Sequence, residues 1–358
     1  MSPLFTPLQF LRGKPMKNRF MLAPLTNTQS HPDGRLSDQE LHWLRMRAQG
    51  GFGLVMTCAA HVQANGQGFP GQLGVFGDQH IEGLTRLART IQETGALALA
   101  QLHHAGMRSP RELIGEAPVC PSDDPKHGAR ALTVLEVEQV IEDFARAAQR
   151  AELAGFDGVE LHGAHGYLLC QFLSTTLNRR QDDYGGSLEN RARIFFSILE
   201  KIRARCRPDF IVGVRLSPER FGMKLLEVRR LAQWLIDSGH VDFLDLSLWD
   251  VAKEPEEPEH KGRTLLSWLM ELDRKGVRIG VAGKIHDPAE AESVLAQGAD
   301  FAIFGRVAIL HHDYPSRYRA DAAFMPNRPP VTAAYLDSEG LSPPFIQYMH
   351  NWPDFVGA

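Results

Sequence analysis

Cysteine is scarce in this chain: four in 358 residues, Cys58, Cys120, Cys170 and Cys206, widely spaced and without a C-x-x-C pair. That excludes a disulfide framework, a zinc knuckle and a cysteine-ligated iron–sulfur cluster, and it leads us to expect reduced thiols in a cytoplasmic protein. Long apolar runs are missing too. None approaches the ~18 residues that span a bilayer, so no membrane partner is expected. Charge of one sign is also lacking, because 39 Lys and Arg stand against 43 Asp and Glu with no block of either. A nucleic-acid partner is therefore not expected, and a small molecule fits better. Residues 1–20 lack an apolar h-region followed by a small-residue cleavage site, so they do not read as a signal peptide.

What is present is an ordinary 43% of hydrophobic residues, enough for a sizeable core. Their arrangement is the main signal. Eight short, nearly continuous apolar segments at 19–25, 53–58, 97–102, 158–161, 210–216, 243–246, 278–281 and 301–304 alternate with stretches of helical period. Eight such units predict an α/β fold, a (β/α)8 TIM barrel, with 1–358 as a single domain that ends in a tail over about 311–358. Helix starts are marked by Ser37 with Glu40 and by Thr133 with Glu136, both read as capping boxes, by Ser187, and by Asp287, Pro288 and Glu290. Gly66, Gly68 and Gly71 match G-x-G-x-x-G, but Pro70, Gly74 and Gly77 interrupt the helix a Rossmann fingerprint must open. That match reads as accidental. The acidic, Pro-broken run 254–259 reads as a solvated loop.

Active sites of such barrels lie at the carboxyl ends of the strands. There the sequence places Ala23, Pro24, Leu25 and Thr26 after the first segment, Ala59 after the second, Gln101, His103 and His104 at the third, and Arg215 at the fifth. The fourth segment is the richest: His162, His165 and Tyr167 follow it, with Gly163 and Gly166 allowing sharp turns. Gly283 and Lys284 end the seventh segment, and Gly305 and Arg306 the eighth. Glycine with a basic residue at those two ends suits a phosphate, since backbone N–H groups can approach it and arginine can bind it in a fork. Gln101 offers a donor and an acceptor and Arg215 only donors, which suits the edge of an isoalloxazine ring. Taken singly, Gln101 also reads as a satisfied core amide and Arg215 as a buried ion pair.

Several motifs then carry a resemblance: NRFMLAPLTN at 18–27, QLHHAG at 101–106, ELHGAHGYLLCQFLS at 160–174, NRRQDDYGGSLENR at 178–191, VRLS at 214–217 and the Gly305, Arg306 pair. The chain resembles the Old Yellow Enzyme family of FMN-dependent ene-reductases, also called NADH:flavin oxidoreductases. The resemblance implies bound FMN contacted by Ala23, Pro24, Leu25, Thr26, Ala59, Gln101, Arg215, Gly283, Gly305 and Arg306, with Lys284 in the phosphate loop. It implies NADPH or NADH as reductant and an activated alkene as substrate, whose oxygen His162 and His165 bind and which Tyr167 protonates. Three positions depart from the family: Met107 where arginine commonly follows HHAG, Lys284 where an uncharged residue is common, and Thr28 where some relatives carry a tyrosine. Two other readings of the histidines stand beside this one, a metal-dependent hydrolase or lyase and a non-enzymatic flavin-binding protein. The aromatic tail 341–355 either packs on its own barrel or carries Tyr348 or Trp352 to a neighbouring subunit's pocket, and a homo-oligomer is open.

Overall fold

Eight parallel strands hydrogen-bond in sequence order, and the last returns to the first, closing a barrel. They are β1 (Phe20–Leu22), β2 (Leu54–His61), β3 (Leu97–His103), β4 (Gly158–Gly163), β5 (Ile211–Leu216), β6 (Phe243–Ser247), β7 (Arg278–Ala282) and β8 (Phe301–Phe304). Between them run α1 (Asp38–Gln49), α2 (Ile81–Gln92), α3 (Val134–Leu153), α4 (Leu188–Arg205), α5 (Leu225–Asp237), α6 (Leu265–Met270) and α7 (Pro288–Ala296). This computed structural model describes residues 2–357, and its architecture is the expected (β/α)8 TIM barrel.

Two apolar layers hold it. Met21, Leu54, Met56, Leu97, Leu99, Ile211, Phe243 and Phe301 fill the barrel interior, plugged from the amino end by Leu8, Phe10 and Met16. The larger layer lies between strands and helices. The rings of Phe243 and Phe301 sit where Gly213 and Gly280 would carry a Cβ, at 2.0 and 2.1 Å, so those two strand positions accept only glycine.

A device at the amino end recurs three times. Asp157, Asp242 and Asp300 immediately precede or enter β4, β6 and β8, and each carboxylate accepts an amide of the preceding strand: Ala98 N at 3.0 Å, Val212 N at 2.7 Å and Ile279 N at 2.9 Å. Each also donates its own amide back to that residue's carbonyl. Basic side chains complete the arrangement, Lys14 on Asp157, Arg12 and Arg203 on Asp242, Arg274 and Arg278 on Asp300. The closed end is thereby locked, and the open end is left to function.

Differences from the sequence reading have physical causes. β1 is shorter than 19–25 because Pro24 has no N–H to continue the ladder. β2 runs on to His61 past an irregularity between Met56 and Ala59. The box at Thr133 forms in full, and the helix start at Asp287 proves to be one as well, whereas Ser37 caps α1 without a reciprocal bond. Its partner Glu40 turns inward instead, where Asn27 Nδ2 donates to it at 3.0 Å and Ser30 Oγ also bonds it, fixing the loop after β1. Residues 64–66 form one 3-10 turn with no helix behind it, so the glycine match is not a dinucleotide fingerprint. The acidic loop is less passive than expected: Glu257 accepts Leu225 N at 2.8 Å at the start of α5, and Glu256 pairs with Arg220 and Lys253. All four cysteines are free and buried. No helix among the described residues is long and apolar enough to cross a membrane.

Asp242→Ala would leave the Val212 amide without its acceptor and take the ion pair from Arg203, a loss of ~3 kcal/mol. Urea unfolding should report that drop; a change below ~1 kcal/mol would show that the strand pairing does not depend on this carboxylate.

Candidate active site

The carboxyl ends of the strands surround a cavity of about 1590 Å³. Every residue that the sequence reading gave to cofactor or substrate lines it: Ala23, Pro24, Leu25 and Thr26 after β1, Ala59 on β2, Gln101 on β3, His162, His165 and Tyr167 from β4, Arg215 on β5, Gly283 and Lys284 after β7, Gly305 and Arg306 after β8; His103 and His104 at the end of β3 do not, and meet Gln72 and Gln63 instead. The volume exceeds the ~300–1,000 Å³ of a typical single-ligand pocket. Two molecules can therefore share it.

At the end of β4 the chain folds back on itself. His165 takes φ 62° and Gly166 φ 73°, and the turn returns the second imidazole to the first. His162 Nε2 and His165 Nδ1 are 2.8 Å apart, and His165 Nε2 lies 2.8 Å from Ser247 Oγ on β6. Burial depresses both rings, His162 well below the ordinary value and His165 to about 3, with Arg215 and Arg108 adding repulsion. Both are neutral near pH 7, and they act as hydrogen-bonding groups without charge. Tyr167 stands against them, its ring centroid 5.0 Å from that of His162 and 4.4 Å from that of His103. Gln171 ties this turn to the loop after β3, donating to Gly166 O and Ala105 O and accepting Met107 N.

Under the histidines lies a buried polar row. Gln101 Nε2 donates to Glu160 Oε1 at 2.7 Å, and Arg215 Nε stands 3.1 Å from Asp245 Oδ2. Thus the bland readings of Gln101 and Arg215 do not conflict with a functional one, since both side chains have partners below and still line the cavity. At the phosphate end, a Cβ on Gly305 would meet only Leu25, at 3.7 Å, so the backbone there is open toward the cavity. Arg306 is exposed beside it, and Lys284 pairs with Asp250 at 3.0 Å. Open backbone with basic residues at one end and fixed amide and guanidinium groups at the other fit FMN, with a phosphate at the first and a ring edge at the second.

Other lining residues were not singled out. Ser247 ends β6, the one strand end that offered nothing in the sequence reading, though the same strand-end rule points to it. Arg108 donates to His165 O at 2.6 Å and covers the Tyr167 ring at 4.6 Å. Phe69, Phe221 and Trp249 come from loops that no periodicity marks. Among non-glycine residues with positive φ, His165, Arg220, Phe221, Trp249 and Lys284 all line the cavity, so backbone strain is concentrated at this rim. The tail packs on its own barrel. Phe345 meets Trp43 edge to face at 5.4 Å, and Tyr348 and Trp352 line this chain's own cavity. Placement of those rings in a neighbour's pocket is not what the structure shows.

The metal reading lacks a ligand set. Among the described residues, groups of three potential ligands occur at Glu257, Glu259 and His260 and at His312, Asp313 and Glu339, neither of them here.

Space for two reactants over fixed polar groups is what a flavin enzyme requires, because cofactor and second reactant must meet directly. The class is that of FMN-dependent NAD(P)H oxidoreductases built on a (β/α)8 barrel. Residues 3–323 match the family model described as the NADH:flavin oxidoreductase / NADH oxidase family. A probable NADH-dependent flavin oxidoreductase of Bacillus subtilis is 38% identical over 86% of this chain and 86% of its own length. The NADH oxidase of Thermoanaerobacter brockii is 34% identical over 84% of this chain, which spans only 48% of that longer protein. Among solved structures, the old yellow enzyme homologue from Zymomonas mobilis superposes with a TM-score of 0.79 at 26% identity, covering 93% of this chain and 96% of that one. Morphinone reductase in complex with tetrahydroNAD gives 0.78 at 29%, covering 94% of each. The chain belongs to the NADH:flavin oxidoreductase / NADH oxidase family, that of Old Yellow Enzyme. As a member of an enzyme family it is not a passive flavin carrier.

The buried rings set an acid limit. Burial lowers His61 to about 4, and His104 and His165 to about 3, so below pH ~6.5 the unfolded chain binds protons that the folded one refuses. Stability should be full above pH ~6.5 and fall toward pH 4 by about 1.4 kcal/mol per pH unit for each ring. Urea midpoints measured across that range should decline; flat midpoints would mean that the rings are hydrated.

Proposed function

We propose that the protein reduces the C=C bond of activated alkenes, α,β-unsaturated carbonyl compounds and nitro compounds, as one FMN-binding domain whose tail completes the rim. The observation that carries this reading is the convergence of His162, His165 and Tyr167 on one cavity with Gln101 and Arg215. FMN, when bound, would supply hydride chemistry, with NADPH or NADH as the source of the electrons. The chain's own side chains do the rest. Gln101 and Arg215 hold the ring edge, the backbone of Ala23, Pro24, Leu25, Thr26, Ala59 and Gly283 borders it, and Lys284, Gly305 and Arg306 receive the phosphate.

His162 and His165 grip the substrate's oxygen. Each neutral imidazole keeps one N–H, and each exchanges a partner within the protein, His165 or Ser247, for that oxygen. Negative charge growing on the oxygen as hydride reaches Cβ is then met by donors already in place, worth ~3 kcal/mol each. Tyr167, held by Arg108 and the histidine rings, delivers its phenolic proton to Cα.

Purified protein should be yellow, bleach anaerobically with NADPH or NADH, and recover its colour with 2-cyclohexenone. In Tyr167→Phe, reoxidation by the alkene should slow ~10²-fold or more, while flavin reduction by NAD(P)H keeps its rate. Equal slowing of both half-reactions would remove Tyr167 from the role of proton donor.

A further inference from the structure

Beneath the cavity, two carboxyl groups face a single cation. Glu160 on β4 and Asp245 on β6 are both fully buried, one on each side of the Arg215 strand. Gln101 Nε2 occupies Glu160 Oε1, and Arg215 Nε lies beside Asp245 Oδ2. Glu160 Oε2 and both Asp245 oxygens accept no fully formed hydrogen bond from the described chain, although the two carboxyl groups lie within hydrogen-bonding range of each other. Two ionised carboxylates so placed would repel strongly away from water. One proton between them removes the repulsion and supplies the missing donor.

The surroundings also decide where that proton resides. Asp245 stands against the guanidinium, which favours its ionised form, whereas Glu160 stands against a neutral amide. We propose that Glu160 and Asp245 share one proton, held by Glu160, so that Arg215 meets the flavin as half of a neutral pair and Gln101 meets it with its amide fixed in one orientation. Burial raises both carboxyls above the usual range; the charge of Asp245 adds to the rise at Glu160, and Arg215 opposes it at both. Among the described residues, the groups facing the pair are Gln101 from β3 and Arg215 from β5, with no second cation.

Glu160 and Asp245 are positioning residues. With Gln101 Nε2 committed below, its Oε1 remains to accept from a ring N–H. With Arg215 balanced by Asp245, the cofactor feels less positive charge than a bare guanidinium would impose. Reduced flavin carries more negative charge than oxidised flavin, so the balance keeps the reduction potential low and the hydride strongly donating. This inference rests on the proposed placement of Gln101 and Arg215 at the flavin edge.

Glu160→Gln copies the protonated form, its amide N–H facing Asp245 and its carbonyl accepting from Gln101; Asp245→Asn removes the charge that balances Arg215. In the holoenzyme at neutral pH, infrared spectroscopy should find the carbonyl stretch of a protonated carboxylic acid, shifted in D2O and absent from Glu160→Gln. Spectroelectrochemistry should give Glu160→Gln a midpoint potential close to wild type and Asp245→Asn a more positive one. Absence of the band in wild type, its persistence in Glu160→Gln, or equal shifts of potential in the two variants would overturn the shared proton. If the band behaves as expected while neither variant moves the potential, the link to the flavin is overturned and with it the placement of Arg215. Should Asp245→Asn fail to fold, the infrared comparison of wild type with Glu160→Gln still decides where the proton lies.

Discussion

Closure of the parallel sheet is the constraint from which the rest follows. A closed barrel has no free strand edge, and because all eight strands run the same way their carboxyl ends form one rim. Neighbouring strands are held ~4.8 Å apart, so polar side chains at equivalent depth cannot avoid one another. The register sets Gln101 beside Glu160, His162 beside Arg215, and Arg215 beside Asp245. Such a row is tolerated away from water only if its members satisfy each other. The aspartates at the opposite end make this possible, since they fix the strand offsets that define the row.

The same dryness determines the chemistry of the rim. Imidazoles at this depth shed their protons and remain neutral, so in the proposed reaction they would meet a developing oxyanion as uncharged donors that attract no anion beforehand. Protein partners satisfy both rings in this structure: His165 for His162, Ser247 for His165. The positive-φ residues around the mouth are a cost of the same design, because the loops must turn sharply to aim side chains inward.

Much of this was legible in the chain. Buried parallel strands read as continuous apolar runs, and the strand-end rule converted their boundaries into Gln101, His162, Arg215 and the basic residues after β7 and β8, all of which line one cavity. What failed to show depends on three-dimensional pairing. Glu40 carried a valid capping-box signature, yet the loop holding Asn27 and Ser30 claimed its carboxylate. Asp245 sits inside an apolar run, and nothing local tells that it answers Arg215 and Glu160 on neighbouring strands. The balance between those groups is a property of the register, which single-sequence periodicity does not encode.

The departures from family motifs make the same point in space. Met107 breaks the expected arginine after HHAG, but Arg108, one position later in a 3-10 turn, brings a guanidinium to the cavity and over Tyr167. Thr28 lacks the tyrosine of some relatives and turns to bond Asn27 O and Pro344 O, while Tyr348 arrives from the tail to line the same cavity as Thr26. A positive charge and a phenol are thus present at the rim although neither occupies the motif position. Selection on such a site acts on where a group stands relative to its reacting neighbours, and a loop or tail can deliver it from more than one place in the chain. For that reason the tail, which packs Phe345 against Trp43 and extends past the matched family region, lines the candidate site together with the strand ends.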